Sequence, residues 1–204
     1  YGELGIERSI AYLSHPIRIP LISNIREISV AGHYVFAITN DNNIWGWGGM
    51  SAFCPYVSEC TLPTQLHYSN VKQAIAGSNI NVLLFNDGTL VNWGDNSFGK
   101  KADFEGMPYI EEIVDANWRI YAIEPNGRIW HWGGHMSGVP NPNYPYRNEA
   151  LDGYIDFYDG PDFALRVHKN GTVQVWGSNE YGRLGMGDEM WVEPVNNPYL
   201  SDIK

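Results

Sequence analysis

The stretch Asn170-Gly-Thr-Val-Gln-Val-Trp-Gly177 contains the features that decide the fold: a turn pair, a short apolar run and a closing Trp-Gly pair. The same order recurs along the chain, with Trp-Gly pairs at Trp47-Gly48, Trp93-Gly94, Trp132-Gly133 and Trp176-Gly177. Successive pairs are 46, 39 and 44 residues apart. Self-similarity at such a period indicates a repeat protein.

A turn pair precedes each Trp-Gly pair. These turn pairs are predicted at Asn42-Asn43, Asp87-Gly88, Asn126-Gly127 and Asn170-Gly171, and their second residues lie 4, 5, 5 and 5 residues before the tryptophan. Asn-Gly and Asp-Gly between apolar runs are strong hairpin signals, because both central residues of such a turn adopt positive φ. Each repeat therefore contains a predicted hairpin whose second strand ends at the tryptophan.

A second column lies further upstream, at Gly32, Gly77, Asn117 and Gly160, which precede the tryptophans by 15, 16, 15 and 16 residues. Asn tolerates left-handed backbone better than most residues. We therefore expect this column to require a positive φ.

Apolar runs lie on both sides of each turn, and a third run precedes each member of the glycine column. Three strands per repeat, with room for a fourth in the connecting segment, predict a four-stranded blade at the pitch of a β-propeller. We predict an all-β, propeller-type domain over residues 1–204, with units at about 6–48, 49–94, 95–133 and 134–177 and a partial unit at 178–204. An open solenoid of stacked hairpins is the alternative; a closed ring is favoured because it protects strand edges.

The segment Trp176-Gly-Ser-Asn-Glu-Tyr-Gly-Arg-Leu-Gly-Met-Gly187 resembles the signature of the regulator of chromosome condensation repeats. Trp93-Gly-Asp-Asn-Ser-Phe-Gly99 carries the first half of that signature, and Tyr1-Gly-Glu-Leu-Gly5 matches its tail. The resemblance implies a β-propeller, which usually has seven blades in this family. Because only four Trp-Gly units are present, we expect an excised part of a longer array, a small ring, or one partner in a larger assembly.

The chain also departs from the family pattern. The family often places His three residues after the glycine column, where this chain has Val35, Ile80, Ile120 and Phe163. The second half of the signature is lost after Trp47 and Trp132. The resemblance therefore implies the fold, but not the nucleotide-exchange activity of the founding member.

Charge restricts the partners. Thirteen basic and 23 acidic residues give a formal net charge of −10, which argues against nucleic acid and anionic membrane surfaces. No apolar run approaches the ~20 residues of a membrane span. We expect another protein as the partner, one that carries a basic patch.

Two cysteines, Cys54 and Cys60, lie in one short stretch. They fit a small loop disulfide in an exported protein or two unpaired thiols, and both interpretations stay open. A zinc site would need two further ligands nearby.

The sequence offers few candidates for catalytic or metal-binding residues. His131 and His135 flank Trp132-Gly-Gly134, and we expect them to face solvent or to be satisfied within the fold. Asp156, Asp159 and Asp162 lack the pattern of a calcium loop and predict a solvated acidic edge. We therefore predict no catalytic residue, no metal and no cofactor.

Recognition is better supported, because the segments after the Trp-Gly pairs are rich in aromatic residues. The predicted partner-binding residues are Phe53, Tyr56, Phe98, Phe104, Tyr144, Tyr146 and Trp191. Loops on rigid scaffolds carry binding function, and Tyr and Trp dominate binding hot spots. We predict a non-catalytic protein-interaction module. The alternatives are a regulator of a small GTPase, such as an exchange factor, and a carbohydrate-binding or carbohydrate-active propeller.

Overall fold

The computed structural model describes residues 2–6, 12–32, 34–49, 60–77, 80–94, 102–116, 119–133, 144–160 and 162–203. Within these ranges the regular structure consists of antiparallel strands and two short 3-10 turns, at Glu149–Leu151 and Glu180–Gly182. The all-β prediction is confirmed. In the same ranges no helix has the length and apolar character needed to cross a membrane.

The strands form four sheets, here called blades 1 to 4. Blade 1 contains β1 (Ile25–Ala31), β2 (Tyr34–Thr39), β3 (Ile44–Gly48) and β4 (Cys60–Gln65); blade 2 contains β5 (Val71–Ala76), β6 (Ile80–Phe85) and β7 (Leu90–Gly94). Blade 3 contains β8 (Glu112–Asp115), β9 (Ile120–Ile123), β10 (Ile129–Trp132) and β11 (Tyr146–Arg147); blade 4 contains β12 (Tyr154–Asp159), β13 (Phe163–His168), β14 (Val173–Ser178) and β15 (Trp191–Asn196). In each blade the strands follow one another in sequence order. In blades 1, 3 and 4 the connecting segment supplies the fourth strand, as the sequence predicts.

The chain divides into two compact units, Tyr1–Asn96 with blades 1 and 2 and Ser97–Lys204 with blades 3 and 4. The predicted boundaries of the repeat units stay a prediction.

The four tryptophans occupy one position of the blade. They pair across the hairpin as Val35↔Trp47, Asn81↔Trp93, Ile120↔Trp132 and Ala164↔Trp176. The glycine after each tryptophan has a positive φ: 105° at Gly48, 129° at Gly94, 84° at Gly133 and 97° at Gly177. The Trp-Gly pair thus marks the end of the third strand, where the backbone enters a region that L-residues avoid.

The turns between the second and third strands differ from the prediction in one respect. Each has a single residue with positive φ, and these residues are Asn42, Gly88, Gly127 and Gly171, at 62°, 80°, 83° and 83°. The N–H of that residue donates to the carbonyl three residues earlier, as Gly88 does to Phe85 at 2.9 Å. This is a type I turn followed by one left-handed residue, a three-residue hairpin loop.

Two expectations about these turns are therefore wrong. Only one turn residue, not two, has positive φ, and the turn pair of blade 1 is Asp41-Asn42 rather than Asn42-Asn43. With that correction the left-handed residue lies 5 residues before the tryptophan in all four blades. The preceding Asp or Asn supports the turn from its side chain; Asp87 Oδ1, for example, accepts the Thr89 N–H at 3.0 Å.

The expectation that the upstream glycine column needs positive φ is also wrong. Gly32 has a φ of 52°, but Gly77 and Gly160 do not have positive φ, and Asn117 lies outside the described residues. The backbone N–H of Gly77 donates to the Ile80 carbonyl, and that of Gly160 donates to the Phe163 carbonyl. In blade 1 the residue that pairs across this turn is Ala31, with Tyr34, so Gly32 lies one position too late. The equivalent residues are Ala31, Gly77, Ala116 and Gly160, all 16 residues before the tryptophan.

All four residues at this position are small, and at the two glycines the backbone has little room for a side chain. A Cβ on Gly77 would lie 2.4 Å from the Ile80 carbonyl oxygen, and one on Gly160 would lie 2.3 Å from the Phe163 ring. Close approach, rather than left-handed backbone, is what these two glycines provide.

The core lies between neighbouring blades of each unit. In the first unit Phe36 and Ile44 of blade 1 pack with Val71 and Leu83 of blade 2. In the second, Tyr121 and Ile129 of blade 3 pack with Phe157 of blade 4. The second strands of blades 1 to 3 are buried almost throughout, and they carry continuous apolar runs.

Polar side chains also form hydrogen bonds between neighbouring blades of a unit. In the first unit the Arg26 guanidinium donates to the carbonyls of Val71 and Lys72 at 2.8 and 2.7 Å. Ser29 Oγ accepts the Ala76 N–H at 2.8 Å, and the Tyr34 hydroxyl donates to the Gly77 carbonyl. Side chains of blade 1 thus form hydrogen bonds with backbone N–H and C=O groups on the edge strand β5 of blade 2.

Replacing Gly177 by Ala should destabilise the protein strongly. The new Cβ would lie 2.3 Å from the Asp162 carbonyl oxygen, at a φ of 97°. Gly182→Ala is the matched control, because Gly182 has a φ of 70° but nothing within 4 Å of an added Cβ. We expect Gly182→Ala to cost about 1 kcal/mol and Gly177→Ala at least about 2 kcal/mol more, measured by urea unfolding. Equal losses would show that φ alone, not space, requires Gly177.

Candidate functional site

The aromatic connecting segments leave one particular end of each blade. In a sequential antiparallel sheet the connections alternate between two ends. The turn between the first and second strands therefore shares an end with the segment between the third and fourth. In blade 4 this is seen directly, because the Ser178 N–H donates to the Asp162 carbonyl at 2.8 Å. We call this the connecting end of a blade, and the opposite one the turn end.

The structure places the predicted partner-binding residues unevenly. Phe53, Tyr56 and Phe98 lie outside the described residues. Phe104 is half-buried and packs edge-on against Trp132, with ring centroids 5.2 Å apart. The exposed members of the set are Tyr144, Tyr146 and Trp191. Their accessibility agrees with the predicted role, while the role itself stays a prediction.

Tyr146 is exposed but fixed in place. It pairs with His131 across β10 and β11, and the two rings meet edge to face at 5.6 Å. The next residue, Arg147, donates to Asp152 at 2.6 Å, and Asn148 caps the following 3-10 turn through the Ala150 N–H. The segment that carries Tyr146 is therefore held on the blade from both sides.

His131 is buried rather than solvent-facing. Its ring contacts Tyr121 and Tyr146, at centroid distances of 5.7 and 5.6 Å. Burial, together with the guanidinium groups of Arg119 and Arg166, lowers the pKa of His131 to about 4. A neutral buried imidazole is a packing group here, and His135 lies outside the described residues.

The predicted acidic edge is wrong for Asp159. Its side chain is only 4% exposed and accepts hydrogen bonds from Arg119 at 2.8 Å and Tyr121 at 3.0 Å. The reason is that Asp159 lies on β12 facing blade 3, where β9 begins. Asp156 and Asp162 are exposed, and Asp162 accepts from Arg183 at 3.0 Å.

The Asp159 cluster joins blades 3 and 4. Tyr121 stacks on Phe157 at 3.9 Å, and Arg166 lies 4.2 Å from the centre of the Trp176 ring. Arg119 thus pairs with the Asp159 carboxylate, whereas the Arg166 guanidinium lies over an aromatic face. In the described part of the chain, no group of three or more His, Cys, Asp or Glu side chains could hold a metal ion.

Sequence reasoning missed one residue at the connecting end of blade 4. Tyr181 is 91% exposed and has a φ of 61°, a conformation that glycine adopts more readily. Tyr181 lies inside the repeat signature Trp176–Gly187, a pattern that indicates the fold and gives no sign of an exposed contact residue. In the structure the Tyr181 ring lies in solvent and is not part of the core.

The loop that carries Tyr181 is held by two buried asparagines. Asn179 donates to the carbonyls of Gly187 and Glu189 at 3.0 and 2.8 Å and accepts the Leu184 N–H at 2.9 Å. Asn197 donates to the Leu184 carbonyl at 2.7 Å. Four backbone groups of the loop are thus fixed from inside, while its outer side chains stay exposed.

These blades, with their common turns and Trp-Gly ends, are similar to the β-propeller blades of the regulator of chromosome condensation. The chain matches no protein-family model. It is 24% identical over 224 residues to the E3 ubiquitin-protein ligase HERC2 of Mus musculus, covering 94% of this chain and 5% of the ligase. It is 22% identical over 235 residues to the Regulator of chromosome condensation of Xenopus laevis, covering 92% of this chain and 55% of that protein.

Solved structures agree on the fold. Yeast RCC1 (Prp20), in a complex with Kap60, superposes with a TM-score of 0.68 at 18% identity, covering 87% of this chain and 50% of that one. Human WBSCR16 gives a TM-score of 0.67 at 16% identity, covering 84% and 52%. The chain therefore spans about half of these propellers and a small part of the ligase.

Removing the charge of Asp159 should destabilise the second unit. Asp159→Asn leaves Arg119 without its buried carboxylate, which we expect to cost about 3 kcal/mol of unfolding free energy. Asp162→Asn removes an exposed partner of Arg183 and should cost at most about 0.5 kcal/mol. Urea unfolding of both variants measures the difference. Similar small losses would contradict a structural role for the Asp159 cluster.

Stability should fall as the pH drops from about 6.5 to about 4. The unfolded chain binds a proton at His131 near its ordinary pKa of 6.5, whereas the folded chain does so only near 4. The stabilisation is therefore present above pH ~6.5 and is lost on acidification, by up to about 3 kcal/mol. His131→Phe should flatten this part of the stability–pH curve measured by urea unfolding. An unchanged slope in that variant would assign the pH dependence to other groups.

Proposed function

We propose that this chain is a non-catalytic protein-interaction module that contacts its partner through the connecting ends of its blades. The observation that carries the proposal is the exposure of Tyr146 and Trp191 on paired strands at those ends, and of Tyr144 just before β11. Exposed aromatic side chains that are already ordered bind at a low entropic cost.

The relatives support protein partners. One structure contains yeast RCC1 (Prp20) bound to Kap60, and another study of Prp20p describes its binding to Gsp1p and histones. By analogy, this chain binds a protein rather than a small molecule. The net charge of −10 favours a partner with a basic surface and a rate of association that falls with added salt.

Regulation of a small GTPase is the second candidate, by analogy with the family that the sequence resembles. It is favoured by the similarity to the Xenopus protein over 92% of this chain. Release of labelled GDP from a panel of small GTPases separates the two functions. Acceleration by this chain would support regulation, and binding without acceleration would support an interaction module.

The partner-binding role of Tyr144 and Tyr146 is tested by changing both to Ala. The variant should lose the specific partners that the unmodified chain captures, because the two rings provide exposed contact area at the connecting end of blade 3. Quantitative mass spectrometry of captured proteins is the readout.

Tyr12→Ala/Tyr199→Ala is the matched control, since it also removes two exposed tyrosines, one in each unit. It should retain all partners. If the Tyr144/Tyr146 variant folds and retains the same set, this part of blade 3 is not the contact surface.

A further inference from the structure

Three large exposed side chains lie on neighbouring segments at the connecting end of blade 4. Tyr181, Met190 and Trp191 are 91%, 68% and 63% exposed. Trp191 pairs with Ser178, and the Asn179 N–H donates to the Met190 carbonyl at 3.0 Å, which places both residues beside the start of the Tyr181 loop. We call these three residues the Tyr181 surface. Apolar side chains exposed together in this way mark an interaction site.

The Tyr181 surface is built in advance of binding. The hydrogen bonds of Asn179 and Asn197 fix the loop on both sides of Leu184, which is itself buried. Tyr181 holds a left-handed conformation in which glycine would be free of strain. A partner therefore meets aromatic rings that need little further ordering.

The segments that carry this surface are rich in exposed carboxylates. The exposed acidic residues are Asp162, Glu180, Asp188, Glu189 and Glu193. Arg183 is the only Lys or Arg between residues 178 and 196. An aromatic surface with an acidic rim complements a segment rich in cationic side chains.

Arg183 shows how a guanidinium group is held here. It donates to Asp162 at 3.0 Å and lies 5.2 Å from the Phe163 ring and 5.9 Å from the Tyr181 ring. One edge of the surface thus already combines a carboxylate with aromatic faces around a cation. Asp188, Glu189 and Trp191 provide the same chemical groups, and all three are exposed.

We propose that the Tyr181 surface binds an extended, arginine-rich segment of a protein partner, whose guanidinium groups stack on Tyr181 and Trp191 and pair with the surrounding carboxylates. This proposal rests on the proposed function and names the chemistry of the partner at blade 4. Recognition of an uncharged apolar segment is the alternative that the test below distinguishes.

The test measures binding of a fluorescein-labelled Arg-Gly repeat peptide of about 12 residues, roughly 40 Å long when extended, to the 204-residue chain by fluorescence anisotropy. A Gln-Gly peptide of the same length is the uncharged probe. We expect binding of the Arg-Gly peptide only, and weaker binding as NaCl is raised from about 50 to about 300 mM, because the Debye length shortens.

Tyr181→Gly/Trp191→Thr removes both rings with little risk to the fold, since Gly accepts the φ of 61° and Thr suits an exposed strand. This variant should bind the Arg-Gly peptide about tenfold more weakly. Tyr199→Ala is the matched control: Tyr199 is 79% exposed in the same blade but follows β15, at the turn end. It should bind within about twofold of the unmodified chain. Tyr181→Gly alone serves if the double variant does not fold.

Unchanged affinity in a folded Tyr181→Gly/Trp191→Thr variant would overturn the proposal. Equal binding of the Gln-Gly peptide would also overturn it, by showing that charge is not recognised. If the Arg-Gly peptide fails to bind while Tyr144→Ala/Tyr146→Ala still abolishes partner capture, this proposal fails and the interaction module stands.

Discussion

Each blade depends on two short stretches of left-handed backbone, one in the turn before the third strand and one at the glycine that ends it. The turn residues are Asn42, Gly88, Gly127 and Gly171, and in all four blades a Trp-Gly pair follows at the same distance. Since most L-residues avoid positive φ, these positions fix where the strand starts and stops. The length of the third strand, and with it the register of the blade, follows from them.

The tryptophan positions could be predicted from the sequence because each tryptophan is followed by a glycine. The large ring and the glycine that accepts positive φ together mark the end of the third strand. The turn of blade 1 was predicted one residue late. Asp41, Asn42 and Asn43 all suit a turn, and only the hydrogen bond from Asn42 to Thr39 shows which of them is left-handed. The alternation of 15 and 16 residues in the glycine column was a visible sign of misalignment, since hairpins of one type keep one spacing.

Burial of the charged groups could not be predicted from local sequence. Asp159 and Arg119 are 40 residues apart, and nothing near either residue indicates that they meet. The polar contacts between the two blades also differ between the two units. Arg26 and Tyr34 bind backbone carbonyls of blade 2, whereas Arg119 and Tyr121 bind a side-chain carboxylate of blade 4. Every residue has a backbone carbonyl, so the sequence does not indicate which carbonyls Arg26 and Tyr34 bind. Contacts of this kind are found only in the structure.

The two ends of a blade are under different constraints, and this explains where function is found. At the turn end a three-residue loop, fixed by one left-handed residue and one Asx side chain, leaves little freedom for change. At the connecting end the backbone must only leave the third strand through a glycine and return to the sheet, so the segment between can vary in length and composition. Blade 4 uses that freedom in an ordered way. Asn179 and Asn197 hold the loop from inside, which allows Tyr181 and Trp191 to remain exposed without the loop losing its shape. A repeat signature that looks purely structural in sequence can therefore present a binding surface, because its buried asparagines fix the backbone while its outer side chains take no part in the fold.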